Sequence, residues 1–411
     1  MLDQSISEKA IKLLGINTWR KFQPGTEYDN FVADTYKKIE EKLTFDEYKF
    51  SQFNEKSFNG KSGWAFACAA DELVAKKLND NIRRLFKVRP SDRHAIVKQT
   101  IALAKDSQPI TIARLDIKEF YETLDRTSIV KFITEEWLLS HQNRMVLKKW
   151  DKQLANQGIK GLPRGMSLSS TLSEIRIRHF DKEMKLDSKV YFYARYVDDI
   201  IVFYSGEQAQ LESVMRERLK ACAKELTINT DKSFYTVLND PANGASADID
   251  YLGYKLRIQN YPPKPGTERN VQVFISNKKV NKVKERVRRA FRAYSKDRRY
   301  NLLLARLKFL SANQYIIGDI ERTKLKSGIY YNYPLINCHS QLKDLDSFYQ
   351  KFINSRKEPA YSAMKLIKNH GGTSCDARRR QIQAISFQFG FKKRVMNSFT
   401  NDLNKKIKRC W

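Results

Sequence analysis

Apolar positions along the chain switch between two periods. "ITIARLD" (residues 110–116) and the two halves of "VYFYARYVDDIIVFY" (residues 190–204) are short, β-branched and aromatic, and predict strands. The first strand ends on Asp116, and the second stretch is a hairpin with Asp198 and Asp199 at its bend. Three- and four-residue steps predict helices in "ADELVAKKLNDNIRRLF", "DRHAIVKQTIALAKD", "RTSIVKFITEEWLLS", "SLSSTLSEIRIRHFDKEM" and "QAQLESVMRERLKACAKEL". "TINTDKSFYTVL" and "IDYLGYKLRI" read as further strands. The order β-α-β-β-α-β, with an acid closing the first strand, is that of a split βαβ sheet in an α+β fold. In that topology the first and third strands are neighbours, so Asp116 meets the Asp198–Asp199 bend.

Charge adds a second division. The 411 residues carry a net +30, yet residues 276–411 alone hold 32 Lys and Arg against nine acids, leaving +7 for the first 275. The shift follows "PPKPGTERNVQVFIS", a Pro- and Gly-bearing boundary, and beyond it Val280, Val283, Val287, Phe291 and Tyr294 mark a helix whose other faces are basic. Such an excess suits a phosphate-bearing polyanion. No apolar run approaches the roughly 18 residues of a membrane span, so no membrane partner is expected. Five scattered cysteines without Cys-x-x-Cys spacing predict reduced thiols and a cytoplasmic setting.

Two adjacent aspartates between apolar strands most simply form a solvated turn. The alternative is hard oxygen ligands converging on Mg²⁺, and an upstream strand-end acid in a basic chain favours it. Two ions about 4 Å apart would activate an attacking hydroxyl and neutralise a leaving oxyanion.

"YVDD" in its hydrophobic hairpin, "LDIKEFY" upstream and "GLPRGMSLSSTLSE" between them resemble the polymerase motifs of reverse transcriptases, in their order and spacing, over residues 85–260. The resemblance implies a right-hand polymerase. Its parts would be an N-terminal extension over 1–60, fingers over 61–110 and a ferredoxin-like palm over 111–275, with a fingers insertion near 127–160. A basic, all-helical, thumb-like domain would follow over 276–411. It further implies that Asp116, Asp198 and Asp199, with the Ile117 carbonyl, hold two Mg²⁺ ions, Mn²⁺ being the alternative. Lys232 matches the lysine beside the leaving pyrophosphate. Tyr121 matches the aromatic that bars a 2′-hydroxyl and so selects deoxynucleotides. Arg164 and Gly165 of "GLPRG", with Arg89 and Arg93, are candidates for contacting the incoming nucleotide. Arg164 stands where retroviral enzymes carry glutamine. Leu252, Gly253 and Tyr254 match the primer grip.

"RLDIKEFYETL", "RLKFLSANQYI" and "LKSGIYYNYPLI" further resemble the abortive-infection and defence-associated reverse transcriptases of prokaryotes, the smaller polymerase of the type 3 systems among them. That implies antiphage DNA synthesis on a noncoding RNA that serves as template or scaffold, with dNTPs as substrates and DNA as product. A second reverse transcriptase subunit and self-association are the further partners it implies. The alternatives are a polymerase of retron or group II type, an RNA polymerase on the same palm, and a non-catalytic scaffold retaining the fold.

Overall fold

A computed structural model describes residues 2–44, 47–58, 60–317, 324–369 and 373–411. The chain forms two compact units. The first comprises residues 1–93 and 108–239, and the second comprises 94–107, 240–318 and 322–411.

The first unit is built on a four-stranded antiparallel sheet. Its strands are β1 (Ile110–Asp116), β2 (Val190–Tyr196), β3 (Asp199–Tyr204) and β4 (Phe234–Leu238), in the order β2-β3-β1-β4. The first and third strands are therefore adjacent, with Asp116 opposite Asp199 in register. The twofold alternation gives the sheet two distinct faces. Ala113, Leu115, Ile200 and Val202 point into a large hydrophobic core. Helix α1 (Ser167–Lys185) packs there against β2, against helix α2 (Gln208–Cys222) and against the helix Ala69–Leu85. Arg114, Asp116, Asp199 and Ile201 share the opposite face. "TINTDKSFYTVL" is not one strand: Thr230–Lys232 is a single 3₁₀ turn, and only Phe234–Leu238 joins the sheet. The reason is local, because Ser233 Oγ donates to Asn229 O at 2.7 Å and closes the turn.

Arg195 interrupts the apolar face of β2 and is 6% exposed. Its guanidinium donates to Glu174 at 3.0 and 2.7 Å and to Asp181 at 2.9 and 2.7 Å, both carboxylates standing on α1. It also donates to the Val197 carbonyl at 2.9 Å. Tyr193, two residues earlier on the same face, donates its hydroxyl to Asp181 at 2.7 Å. The two carboxylates hold the buried guanidinium protonated and push its pKa well above the usual arginine value, against the effect of burial.

The second unit holds two three-stranded sheets. Strands β5 (Ser246–Tyr251), β6 (Tyr254–Gln259) and β7 (Val271–Ile275) form an antiparallel meander, so "IDYLGYKLRI" is a hairpin and not a single strand. Leu252 and Gly253 turn it, both at positive φ, which is the type I′ pattern. The basic helix α3 (Asn277–Asp297) follows and packs on helix α4 (Tyr300–Ser311) and on the helix Pro359–Lys365.

The C-terminal segment is not all-helical. Strands β8 (Asn313–Ile317), β9 (Lys324–Gly328) and β10 (Met396–Asn397) form a sheet in the order β9-β8-β10. Asn313 anchors it. Fully buried, it donates to Val395 O at 3.1 Å and accepts from Tyr330 N at 2.9 Å. The edge of the compact unit near residue 239 also precedes the charge shift near 275, because the meander pairs only within itself. Among the described residues, no helix is long and apolar enough to cross a membrane, and the five cysteines are free.

Arg195→Met is expected to destabilise the first unit by about 3 kcal/mol, because two carboxylates on α1 lose their buried partner. Urea unfolding should show a lower midpoint at unchanged slope, with Arg195→Lys intermediate. A midpoint equal to wild type would mean that the cluster contributes nothing.

Candidate active site

The site begins at a hairpin that is sterically costly. Tyr196 pairs with Asp199, so Val197 and Asp198 are the two turn residues, and Val197 has φ +61°. In two-residue hairpins with positive φ at the first turn position, that position normally takes glycine. A β-branched residue there costs about 1–3 kcal/mol and persists only where its surroundings fix it. Two contacts do so: Arg195 holds the Val197 carbonyl, and the Ile117 amide donates to the Asp198 carbonyl at 3.1 Å.

The end of β1 is fastened from the other side. Lys118 N donates to Thr227 O at 2.9 Å, and Asn229 N donates to Asp116 O at 2.7 Å. The 3₁₀ turn that follows carries Lys232 to Asp116, with Nζ 3.5 Å from Oδ2, while Asn229 Nδ2 lies 3.3 Å from the same oxygen.

Three carboxylates thus crowd the end of one sheet. Like charges directly opposed across an antiparallel pair are destabilising. The cost falls on Asp198, whose pKa is raised first by burial and then by the charges of Asp199 and Asp116. The other two have cations of their own. Arg114 Nη2 lies 2.5 Å from Asp199 Oδ1, and Arg114 Nη1 donates to Lys232 O at 2.8 Å. With Asp199 turned to Arg114 and Asp116 to Lys232, no three His, Cys, Asp or Glu side chains among the described residues form a ready-made metal cluster. The donor set nevertheless fits a divalent cation. It offers hard oxygens, one of them on a carboxylate whose burial and neighbours disfavour its own charge.

Tyr121 and the "GLPRG" loop form one packed unit beside this end. Leu162 N donates to Tyr121 O at 2.7 Å. Arg126 Nη1 donates to Ile159 O and Gly161 O at 2.6 and 2.8 Å. Gly161 has φ +59°, and a Cβ there would come within 2.4 Å of Glu122 O. The missing side chain thus lets the loop pack against the backbone of residues 121 and 122. Arg164 is ion-paired with Glu122 through Nε, and its Nη2 lies 3.0 Å from Oε2. Its guanidinium lies over the Tyr121 ring, 5.3 Å from the centroid. Burial pushes the Tyr121 phenol pKa up, while hydrogen bonds with Ser170 and Ser173 of α1 oppose that shift. Gly165, at φ +93°, ends the loop before α1.

The structure thus gathers Asp116, Ile117, Asp198, Asp199 and Lys232, with Tyr121, Arg164 and Gly165 in a second cluster of the same unit. Arg89 is exposed after the helix Ala69–Leu85, and Arg93 opens the helix Arg93–Ala104. In the second unit, Leu252 and Gly253 are the tip of their turn. Tyr254 is not at a surface: fully buried, it lies edge-on to Tyr333 with centroids 5.6 Å apart. Sequence reasoning missed Arg114, Asn229 and Arg195. Arg114 could have been found, since two residues before Asp116 on a strand is the same face.

Residues 69–256 match the family model described as "Reverse transcriptase (RNA-dependent DNA polymerase)". A comparison with curated proteins finds no match. Among solved structures, the chain is similar to apo telomerase from Candida tropicalis truncated from its C-terminal domain, at 14% identity and TM-score 0.33. That likeness covers 50% of this chain and 45% of the telomerase. It is also similar to telomerase from Candida albicans in complex with a TWJ fragment of telomeric RNA, at 14% identity and TM-score 0.37, over 83% and 65% of the two chains. The chain therefore spans less than two thirds of either telomerase. Over residues 69–256 it carries a reverse transcriptase domain, the nucleotidyltransferase domain of RNA-directed DNA polymerases.

Proposed function

We propose that this chain polymerises deoxynucleotides on an RNA template, with the chemistry at Asp116 and Asp198. The observation that carries the reading is the pairing of Asp116 with Asp199 beside a strained turn that presents Asp198. Opposed carboxylates and a β-branched turn residue both cost stability, and such costs collect at functional sites. A solvated hairpin turn has no need of either.

In this reading Asp116, Asp198 and the Ile117 carbonyl would hold Mg²⁺, two ions in all, with Mn²⁺ able to replace it; Asp199 is the looser acid. Bound there, the ions would supply activation of the attacking hydroxyl and neutralisation of the charge that develops on the leaving oxygen. The remaining work belongs to the chain. Lys232, more than half exposed and tethered through its loop to β1, reaches the pyrophosphate as a proton donor. Tyr121, with the Arg164 guanidinium over its ring, offers that ring to the sugar. Arg164, over that ring, sits where it can turn from Glu122 to a phosphate. Arg89 and Arg93 approach the triphosphate, and the Leu252–Gly253 turn, backed by Tyr254, grips the primer.

The first 60 residues form an extension. Residues 61–110 and the insertion near 127–160 act as fingers, the rest of 111–275 as palm, and 276–411 as a thumb. The wording of "RLDIKEFYETL" and "GLPRGMSLSSTLSEI" supports a role in antiphage defence within a prokaryotic cytoplasm. Its partners there would be a noncoding RNA and a second polymerase or a second copy of the chain. Sequencing the nucleic acid that copurifies tests this directly, and recovery of random cellular RNA alone would sink the dedicated-RNA reading.

Asp198→Asn is expected to lower nucleotide incorporation in Mg²⁺ by at least ~10³-fold while RNA affinity stays within about twofold. Incorporation equal to wild type would end the polymerase reading. Tyr121→Ala is expected to raise the ratio of ribonucleotide to deoxynucleotide incorporation by about tenfold or more. If the wild-type chain already prefers ribonucleotides, the RNA polymerase alternative is the right one.

A further inference from the structure

The second unit contains a cavity of about 840 Å³ outside every element considered so far as part of the polymerising site. It opens where the end of α3 and the start of α4 meet the segments around residues 366–369, 378 and 403–406. Arg298, Arg299, Lys368, Arg378 and Lys406 line it, and no carboxylate does among the described residues. Two of these cations are already engaged. Lys406 pairs with Asp402 at 2.6 Å. Arg378 is buried, stacked 3.8 Å from the Tyr300 ring centroid, and donates to Lys368 O at 2.6 Å. Arg298, Arg299 and Lys368 are exposed, and none has a carboxylate partner for its side chain among the described residues.

The walls between these cations are apolar. Tyr294 and Tyr300 contribute buried rings, and their hydroxyls are hydrogen-bonded within the protein, to Leu366 O, Arg378 O and Gln381 Oε1. Leu302 and Leu403 complete the floor. A rim of cations, three of them without a carboxylate partner among the described residues, over a partly apolar floor matches a molecule that carries phosphates beside less polar groups. A nucleotide has that construction, and capture of the backbone by a positively charged groove is part of how unpaired strands are held. The volume of about 840 Å³ is in the size class of small-ligand sites, so it admits one or two unpaired nucleotides. Residues 276–411, with their net +23, would draw such a polyanion in.

We propose that this cavity binds the phosphodiester backbone of a single-stranded nucleic acid, holding one or two unpaired nucleotides at the rim formed by Arg298, Arg299 and Lys368. The inference rests on the polymerase reading only for the presence of such strands. Its test is binding, not synthesis.

Fluorescence anisotropy with a short labelled oligouridine, titrated over a range of salt, reads the number of phosphates engaged. The triple variant Arg298→Gln/Lys368→Gln/Arg299→Gln should weaken binding and flatten the slope of log K against log salt by about 2, at ~0.7 per lost contact. The control triple Lys351→Gln/Arg356→Gln/Lys357→Gln removes equal charge from exposed positions outside the cavity. Its slope should change by less than half as much. Equal flattening by both triples, or by neither, overturns the proposal. Competition by inorganic phosphate as effective as competition by the unlabelled strand overturns the assignment to a strand. The same oligomer as DNA separates sources, since equal binding assigns the contact to phosphodiester alone and tighter RNA binding adds the 2′-hydroxyl. Loss of binding by both strands already in the wild type overturns it. All arms are run in the Asp198→Asn chain as well, so that failure of the cavity and failure of the polymerising site are read separately.

Discussion

The structure depends most on keeping three carboxylates at the end of one sheet without letting them open it. Asp116 and Asp199 face each other across a single antiparallel rung, and Asp198 stands in the adjoining turn. Each carboxylate is handled differently. Arg114 takes Asp199 from the same strand face, and Lys232 approaches Asp116 on a loop that backbone hydrogen bonds fasten to β1. Asp198 receives no comparable partner, and its raised pKa is the residue of that imbalance. Arg164 offsets part of that rise through its charge but makes no ion pair with Asp198 among the described residues, so two of the acids have paired cations and the third does not.

A second set of charges stands behind the first. Arg195 lies on the opposite face of the sheet, buried between Glu174 and Asp181 of α1, and reaches under the turn to the Val197 carbonyl. Buried ion pairs are weak evidence for stability, because desolvation offsets most of the Coulombic gain. Their better-attested use is to fix one arrangement among several. Here Arg195 ties α1 to the hairpin, since one guanidinium bonds both carboxylates of the helix and the Val197 carbonyl of the turn.

Much of this was legible in the amino-acid order. Alternation in 110–116 and 190–204 gave the strands, and the split βαβ order brought residue 116 to the bend. What was not legible has physical causes. That Gly161 lies against the Glu122 carbonyl is visible only in the packing, since the two are distant in sequence. Glu174 and Asp181 look like solvated helix positions until β2 places an arginine between them. The strand at 313–317 was hidden by the basic helices around it, because its pairing partners both come later in the chain, at 324–328 and, beyond further helices, at 396–397. Such pairings carry no local period. The boundary near 239 was masked for a similar reason. Charge changes at 275, but cohesion follows the hydrogen bonds of the meander.

The two turns that present candidate functional residues share a departure from local preference. Val197 and Leu252 both occupy left-handed backbone, where glycine would be free of strain. Glycine would also leave the turn freer to move, since it populates many more conformations. A bulky residue in that region has few alternatives once its neighbours pin it, and the neighbours here do. Arg195 and the Ile117 amide hold the first turn. Buried Tyr251 and Tyr254 hold the second, while the carbonyl of Gly253 accepts from Ser276 N at 3.0 Å. Phosphoryl transfer is sensitive to displacements of an ångström. Strain of ~1–3 kcal/mol at each turn is therefore a modest cost for a fixed carboxylate and a fixed loop tip. Glycine at Val197 would relieve that strain, but Asp198 would then sample positions away from Asp116. Local stability and chemical competence are opposed at these two turns, and the chain has kept the strained residue at both.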